Sequence, residues 1–391
     1  MDRRRDSCRQ PDVEHVDNVL GTMESCPTSF CLSPEGNTIL TSAWQALKGH
    51  QEQRALFARS VERGRLSHAY VFTGTEGIGK RKFARLLAQS MFCREHAAHE
   101  IEACGECRAC RGFVAGNWPD FIEIGLPTGK TEIPISLILG ESDRRGREGL
   151  CFELSMSPQA SERRVAVIND AHRMNQEGAN ALLKTLEEPP ANALILLVCD
   201  NPDSLLPTIR SRCQVIRFFP LTEAAVSDIL LSEQLVETPQ EALQVAALSE
   251  GSITLAQQLL NPDLRALREM VSGQLELLEQ IKPLEISKHV SDELERISSG
   301  TEEARRNAKW LLRFIAGFLN DRLKRLTSGD FSDPLLQRFG VRSGVDLLAP
   351  LLDRIIIAQH QIDGNSPVRL VLEAMFDDMA RQLRLGPFSA R

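Results

Sequence analysis

A glycine-rich segment at residues 74–80 holds the side chains best suited to chemistry in this sequence. It reads GTEGIGK, so Gly74, Gly79 and Lys80 fit the pattern of glycine, four residues, glycine and lysine, with Gly77 between them. In this pattern the glycines let backbone N–H groups converge on a phosphate, and the lysine reaches the terminal phosphates of a nucleotide. An apolar run precedes the segment and a helical pattern follows it, so the N-terminus of a helix adds positive potential. The segment therefore predicts a phosphate-binding loop.

The positions that hold magnesium beside such a loop depart from the usual pattern. The residue after the lysine is normally a Ser or Thr whose hydroxyl ligates the ion, but here it is Arg81, which has no acceptor atom. A second apolar run, at residues 165–168, should deliver a metal-holding Asp and a water-activating Glu, and it delivers Asn169 and Asp170. An amide binds magnesium weakly, and Asp170 is one methylene shorter than the expected glutamate. We therefore expect nucleotide binding without useful ATP hydrolysis.

Four of the ten cysteines lie within eighteen residues and predict a metal site. They are Cys93, Cys104, Cys107 and Cys110, separated by gaps of ten, two and two residues. Four thiolates complete a tetrahedral shell and leave no position for water, so the expected ion is a structural zinc. A redox pair and an iron–sulfur cluster are the alternatives for the same side chains. The site would pin an insertion between the helix after the phosphate loop and the apolar run at residue 121.

The composition favours a globular, non-membrane protein. The chain has 391 residues, of which 42% are hydrophobic and 25% charged, and its 46 basic and 53 acidic residues give a net charge of −7. This charge argues against a chain that binds nucleic acid over its whole surface. The longest apolar run, residues 193–199, is far short of the roughly 20 residues that cross a bilayer. The basic start has no apolar segment after it, so we expect a cytoplasmic protein with reduced thiols.

The chain is too long for one hydrophobic core and divides into segments of different texture. Residues 1–41 show no sustained apolar period and predict a disordered extension. Residues 42–220 alternate short apolar runs with helical stretches, which predicts a parallel sheet covered by helices. These runs lie at residues 69–73, 121–124, 165–168, 193–199 and 215–218. After residue 220 the pattern predicts only helices, in a smaller segment at 221–275 and a larger one at 276–391.

The clearest helix of the C-terminal segment is predicted over residues 304–326. Its apolar face would carry Trp310, Phe314, Phe318 and Leu323, and its other face is basic. A solvated face of a helical bundle explains the basic residues better than a contact with DNA or a partner. Breaks between helices are predicted near the glycines at positions 300, 329, 340 and 364.

Two further segments carry a family resemblance. They are ANALLKTLEEPP at residues 179–190 and TIRSRC at residues 208–213. Together with SHAY at residues 67–70, the phosphate loop and the four cysteines, they resemble the AAA+ subunits of the bacterial DNA polymerase III clamp loader. The resemblance is specific over residues 44–219 and weaker towards the C-terminus. It implies an α/β AAA+ domain with a zinc-binding insertion, then a helical lid at 221–275 and an all-α collar at 276–391 through which subunits assemble.

The family has two relevant branches, and the substitutions favour one of them. The tau/gamma motor branch carries an intact magnesium-binding Thr and an Asp-Glu pair, whereas the delta-prime branch has degraded motifs, keeps the zinc insertion and does not hydrolyse ATP. Arg81, Asn169 and Asp170 resemble the delta-prime branch. Thr254 agrees, because the motor branch would place a phosphate-sensing arginine there. An active motor subunit and a zinc-stabilised scaffold that binds no nucleotide are the alternatives.

The resemblance also implies roles for residues outside the phosphate loop. Ser211, Arg212 and Cys213 match the motif whose arginine enters the ATP site of a neighbouring subunit, so Arg212 would act as an arginine finger in trans. A surface arginine at the start of a strand is the alternative. Asn201 falls at the position of a sensor residue, and Asp200 is the other candidate for it. The implied partners are tau/gamma-like and delta-like subunits, a sliding clamp and primed DNA. The implied location is the cytoplasm, at the nucleoid-associated replisome, and no membrane contact is expected.

Overall fold

The computed structural model describes residues 43–276, 282–328, 334–364 and 366–385. The predicted extension at residues 1–41 and the helix break predicted near Gly329 lie outside the described residues.

Five parallel strands form one sheet, and each corresponds to one predicted apolar run. The strands are β1 (Ala69–Thr73), β2 (Phe121–Ile124), β3 (Arg164–Ile168), β4 (Ala193–Val198) and β5 (Gln214–Arg217). Their order in the sheet is β2-β3-β4-β1-β5, so β1 lies between β4 and β5. The predicted parallel α/β sheet is confirmed, and the carboxyl ends of all five strands lie at the same edge.

Fifteen α-helices are present in the described residues. They are α1 (Gln51–Glu62), α2 (Lys80–Phe92), α3 (Arg108–Val114), α4 (Ile135–Leu139), α5 (Leu150–Ser155), α6 (Gln176–Glu187), α7 (Pro207–Arg210), α8 (Glu223–Ser232), α9 (Pro239–Leu248), α10 (Ile253–Leu260), α11 (Pro262–Glu276), α12 (Pro283–Arg296), α13 (Thr301–Ser328), α14 (Pro334–Asp363) and α15 (Val368–Leu385).

Strand β1 is buried on both faces of the sheet. Tyr70 and Phe72 pack in an apolar layer that contains Phe57 of α1, whereas Ala69 and Val71 belong to the layer on the opposite face, which includes side chains of α6. Successive strand residues point to opposite faces, so a strand covered on both sides reads as one continuous apolar run. The arrangement is that of a parallel α/β sheet covered on both faces, and the glycine-rich loop follows directly at the end of β1.

The helices that follow the sheet form two apolar clusters. The smaller one lies among α8, α9 and α10 around Val226 and Leu230. The larger one lies among α11 to α15 and includes Leu311 and Phe376. Helix α11 contributes four residues to the larger cluster: Leu264, Leu267, Val271 and Leu275. The lid and collar ranges stay predictions, with α11 packed against the C-terminal helices.

One predicted helix break is wrong. Gly340 lies inside α14, which is continuous over 30 residues. A glycine within a helix costs about 1 kcal/mol relative to alanine, and the buried α14 side chains Leu351 and Ile355 outweigh that cost. The breaks predicted near Gly300 and Gly364 are confirmed, because α13 begins directly after the first and α14 ends directly before the second.

The long helix predicted from residue 304 is α13, and its four predicted apolar residues all pack against the C-terminal core. Trp310 is buried, whereas Phe314, Phe318 and Leu323 are only partly buried. The residues buried most completely are Leu311, Leu312, Ile315 and Leu319. The apolar face is therefore broader than the predicted one. No described helix combines the length and the hydropathy needed to cross a bilayer.

Candidate nucleotide, metal and inter-subunit sites

The glycine-rich loop leads from β1 directly into α2. Gly74, Gly77 and Gly79 all have positive φ angles, of 144°, 78° and 98°. At Gly77 a Cβ atom would lie 2.3 Å from the Oγ of Ser252, so a side chain has no room there. The loop therefore has the backbone that the phosphate-binding pattern predicts, and it ends at the N-terminus of a helix.

Lys80 is held inside this loop. Its Nζ donates hydrogen bonds to the carbonyl oxygens of Gly74 at 2.5 Å and Thr75 at 2.7 Å, and it forms an ion pair with Asp200 Oδ1 at 2.8 Å. Only 5% of the Lys80 side chain is exposed. A phosphate that enters the loop has to take the ammonium group from these three acceptors, and Asp200 is the charged one among them.

The segment that begins α10 is hydrogen-bonded to the glycine-rich loop. Ser252 Oγ donates to the carbonyl oxygen of Glu76 at 2.8 Å, and the Ile253 N–H donates to that of Gly77 at 2.9 Å. Thr254 follows and lines the same cavity as Lys80. Because it carries a hydroxyl and no charge, Thr254 lacks the cation that the motor branch would place at this position to neutralise a phosphate.

A cavity of about 570 Å³ opens beside the loop. Its apolar wall includes Leu47, Leu221 and Ile229, and its polar wall includes Lys80 and Asn169. An apolar wall next to a polar loop suits a ligand with a flat ring system at one end and phosphates at the other.

His50 anchors the segment before α1 to the loop. Its Nε2 lies 2.6 Å from the carbonyl oxygen of Ile78, and its ring contacts Phe218 edge-on with centroids 4.9 Å apart. Burial lowers the pKa of His50, with the nearby Lys80 acting in the same direction. The imidazole is therefore neutral at pH 7 and donates its Nε2–H to Ile78, in a structural contact.

The two altered magnesium positions meet at one carboxylate. Glu123 of β2 accepts a hydrogen bond from Asn169 Nδ2 at 2.7 Å and forms an ion pair with Arg81 Nε at 2.9 Å, both through Oε1. Arg85, one turn further along α2, contacts the other oxygen, Oε2. No motif pointed to Glu123, because it is an isolated acidic residue in a short strand, 42 residues from Arg81. A carboxylate with three protein partners now occupies the region between the loop and β3.

Further polar residues lie at the carboxyl ends of β3 and β4. Asp170 is exposed and has a left-handed φ of 51°. His172 is half-buried, and burial lowers its pKa, so it is neutral at pH 7. Of the two sensor candidates, Asp200 contacts Lys80, whereas Asn201 Oδ1 accepts a hydrogen bond from the Asp203 N–H at 2.9 Å. Asn201 therefore caps a short turn, and Asp200 is the residue in contact with the loop.

The four predicted metal ligands converge. Their sulfur atoms all lie within 4.8 Å of one another, and those of Cys104 and Cys110 are 3.9 Å apart. A tetrahedral zinc with Zn–S bonds of about 2.3 Å places its sulfurs about 3.8 Å apart. Cys93 ends α2 and Cys107 caps the N-terminus of α3, so two helices fix the positions of two ligands. The donor set and its spacing fit one metal ion.

The protonation of the thiols differs within the cluster. Burial raises the pKa of Cys104 and of Cys110. Burial acts in the same direction on Cys107, but hydrogen bonds from the backbone N–H groups of Arg94 and Cys110 outweigh it and lower its pKa to about 7. Since metals bind the thiolate, Cys107 is the ligand that is already available to an incoming ion at neutral pH.

The candidate arginine finger lies at the amino-terminal ends of the strands, whereas the phosphate loop lies at their carboxyl ends. Arg212 precedes β5, whereas the loop follows β1, and these two strands are parallel neighbours. A strand of five residues is about 15 Å long, so Arg212 cannot reach the loop of its own chain. Its Nη2 pairs with Glu187 Oε1 at 2.6 Å, and its Nη1 donates to the carbonyl oxygen of Thr208 at 2.9 Å. Glu187 therefore joins the two segments that carried the family resemblance.

Ser211 and Cys213 flank the arginine in different environments. Ser211 is exposed, and its Oγ donates to the carbonyl oxygen of Thr208 at 3.0 Å. Cys213 packs against the apolar layer, and burial raises its pKa to about 12. Arg212 itself stays partly exposed, so it is held in place by its neighbours and still open to a second chain.

The chain matches a family model over residues 49–222, described as "DNA polymerase III, delta subunit". Over 230 residues it is 37% identical to the DNA polymerase III subunit delta' of Pseudomonas aeruginosa and 34% identical to that of Bacillus subtilis. Both alignments cover 58% of this chain. These matches confirm the predicted resemblance to the delta-prime subunits of DNA polymerase III.

These alignments span 66% and 64% of the two delta-prime relatives, just under two thirds of their length. The DNA polymerase III subunit tau/gamma of Haemophilus influenzae is 31% identical over 242 residues, covering 59% of this chain and 33% of that protein. The chain is therefore similar to delta-prime and to tau/gamma subunits at comparable levels of identity, and identity alone does not separate the two. The residues at the loop have to make that distinction.

Proposed function

We propose that this chain is a delta-prime subunit of a DNA polymerase III clamp loader, which helps to place a sliding clamp on primed DNA without hydrolysing ATP itself. The observation that carries the proposal is the bonding of Arg81 and Asn169 to Glu123. In a motor subunit these two positions would ligate magnesium through a hydroxyl and a carboxylate. Here a cation and an amide stand there, and both are already bonded to a protein carboxylate.

The contribution of this chain to catalysis would be Arg212, given to a neighbouring ATP site. The arginine lies far from its own loop and stays partly exposed at the sheet edge. A guanidinium placed against the γ-phosphate stabilises the charge that develops there during hydrolysis. The ion pair with Glu187 restrains the side chain, so that little freedom is lost when a neighbour docks.

The four-cysteine cluster would hold a structural zinc, and the loop would bind ATP without turning it over. Four protein ligands complete the shell of a zinc ion, which then supplies only rigidity. The chain would assemble with tau/gamma-like motor subunits and a delta-like subunit through its C-terminal helices. Clamp and primed DNA would be reached through the complex in the cytoplasmic replisome, and any contact of this chain with DNA phosphates should weaken as salt rises.

The finger assignment is tested in a complex reconstituted from this chain and its own motor subunits. Arg212→Ala should lower DNA-stimulated ATP turnover by the share of the one ATP site that faces this subunit, where a sole arginine finger is worth about 10³–10⁵ in rate. Arg65→Ala, an exposed arginine outside the site, is the matched control and should leave turnover unchanged. Gel filtration checks that both complexes assemble. Equal turnover in the two variants would discard the finger.

The two alternative functions give different results with the isolated chain. A motor subunit would release phosphate steadily from ATP, and Lys80→Ala would abolish that release. A scaffold would show no heat of ATP binding in calorimetry and no effect of Lys80→Ala in the complex. The proposed function predicts binding without turnover.

A further inference from the structure

Three charged groups surround the position where a divalent ion would sit beside the phosphate loop. Arg81 and Arg85 both contact the carboxylate of Glu123, so the group carries a net charge of +1. Glu123 is only 14% exposed, and Asn169 holds the same carboxylate oxygen as Arg81 does. The protein therefore supplies its own positive charge at the position where a motor subunit binds a magnesium ion from solution.

We propose that this loop binds nucleoside polyphosphates in their metal-free form, with Arg81 in place of the divalent ion and Glu123 as the residue that positions Arg81. A guanidinium satisfies phosphate oxygens through a fixed fork of N–H donors, as a metal does through coordination. The inference rests on the proposed function only in requiring that the loop takes a nucleotide.

Arg81 has the reach that this role requires. Its contact with Glu123 uses Nε, and 64% of its side chain is exposed. The side chain lines the same cavity as Lys80, the preceding residue in the first turn of α2. Its Nη1 and Nη2 groups can therefore turn towards phosphates at the helix N-terminus while Nε keeps the bond to Glu123.

Arg85 keeps the carboxylate in place. It contacts Glu123 Oε2, and its guanidinium lies over the rings of Phe113 and Phe121, 5.4 Å and 5.7 Å from their centroids. A planar cation that stacks on two rings has a fixed orientation. Glu123 therefore has one partner that is immobile, Arg85, and one that faces the cavity, Arg81.

A magnesium ion has little to bind at this point. Oε1 of Glu123 is bonded to Arg81 and Asn169, and its Oε2 contacts Arg85. Asn169 Oδ1 is buried without a partner among the described residues, and it offers one neutral ligand. Magnesium prefers near-octahedral oxygen ligands with at least one carboxylate, and a guanidinium beside the ion would repel it. The nucleotide should therefore bind without its usual ion.

Calorimetry with ATP tests the inference on the full-length protein, once with a chelator and once with excess magnesium. The wild type should bind ATP in the presence of the chelator, and excess magnesium should weaken the apparent affinity by about tenfold or more, because ATP complexed with magnesium is withdrawn from the metal-free form that the loop binds and Arg81 would repel the ion. Arg81→Thr should weaken metal-free binding by about tenfold or more, as expected for loss of a charge-assisted hydrogen bond. Arg81→Lys should restore part of the loss. Arg59→Thr, on the exposed side of α1, should bind like the wild type.

Three results would overturn the inference: a wild-type affinity that is equal or higher with magnesium, an Arg81→Thr protein that binds metal-free ATP like the wild type, or no ATP binding in either buffer. Circular dichroism checks that the variants are folded. Because the substituted arginines are exposed, replacing them should not disturb the fold. The proposed function is assessed separately by ATP turnover in the reconstituted complex, through the comparison of Arg212→Ala with Arg65→Ala, since Arg212 lies at the other end of the strands. Loss of the inference with retention of the Arg212 effect would leave the clamp-loader assignment intact.

Discussion

Asp120 lies directly before β2 and carries a fully buried negative charge. Its carboxylate is the most completely hydrogen-bonded one in the sheet domain. It accepts hydrogen bonds from the backbone N–H groups of Gln159, Ala160 and Ser161 and from the Ser161 hydroxyl, at 2.5 to 2.8 Å. Arg164 Nε lies 3.7 Å from it. Burial alone would raise the pKa of Asp120, but these hydrogen bonds outweigh it and hold the pKa below its ordinary value.

This shift predicts a loss of stability in acid. Because the folded-state pKa of Asp120 is lowered, its contribution is complete above the unfolded pKa of about 3.9 and is lost as the pH falls through the folded value. Asp120→Asn should lower the free energy of unfolding at pH 7 by about 3–5 kcal/mol, as when one partner of a buried ion pair is removed. Urea unfolding at neutral pH and below pH 4 measures this, and the gap to the wild type should shrink in acid. Asp143→Asn, at an 80% exposed carboxylate, is the control, and a constant gap would contradict the prediction.

The chemistry of single residues could be read from the sequence only where the partner is close along the chain. Lys80, Arg81 and the cysteines stand in local patterns whose meaning follows from spacing. Glu123 and Asp120 gave no such signal, because their partners lie about 40 residues away and meet them only when β2 joins the sheet. The distinctive feature of the candidate site, a shared carboxylate, was therefore invisible until the fold was known.

At the scale of elements, the cysteine cluster joins the end of α2 to the start of α3. Cys107→Ser with Cys110→Ser should abolish metal binding, whereas the wild type should hold one zinc per chain. The double variant should melt at least about 5 °C lower, given roughly 2–4 °C per kcal/mol for domains of 150–250 residues. Metal analysis and thermal unfolding measure both effects, with Cys151→Ser, outside the cluster, as the control. A metal-free, fully folded wild type would refute the zinc assignment.

Elements were predictable where one physical signal dominates. All five strands appear in the sequence as apolar runs, most clearly the three that are buried along their whole length, β1, β3 and β4, because a parallel strand covered on both faces contains little else. Helix α14 was not predictable in its full length, since the cost of Gly340 is local while the gain from burying Leu351 and Ile355 depends on distant helices. The apolar face of α13 was misjudged for a related reason: a helix surrounded by several others is buried on more than one stripe.

At the scale of the whole molecule, α10 connects three regions of the described chain. Ser252, at its N-terminus, donates to the loop residue Glu76. Ala256 lies in the small cluster of α8 and α9, and Leu255, the preceding residue, lies in the C-terminal cluster. A helix of eight residues therefore contacts both the phosphate loop and the C-terminal helices.

Leu255 is accordingly the contact whose loss should loosen the C-terminal core from α10. The side chain is 6% exposed, and Leu255→Ala should lower the free energy of unfolding of that core by about 2–5 kcal/mol, as for other buried leucines. Trp310 lies in the C-terminal core and Trp118 in the sheet domain, so two variants that each retain one of these tryptophans and also lack Trp44 report the two regions separately in urea. The Trp310 transition should move to lower urea, and the Trp118 transition should move less. Leu243→Ala, 55% exposed on α9, is the matched control. If Leu255→Ala behaves like this control in both reporters, α10 does not couple the regions, and the path from the loop to the C-terminal helices lies elsewhere.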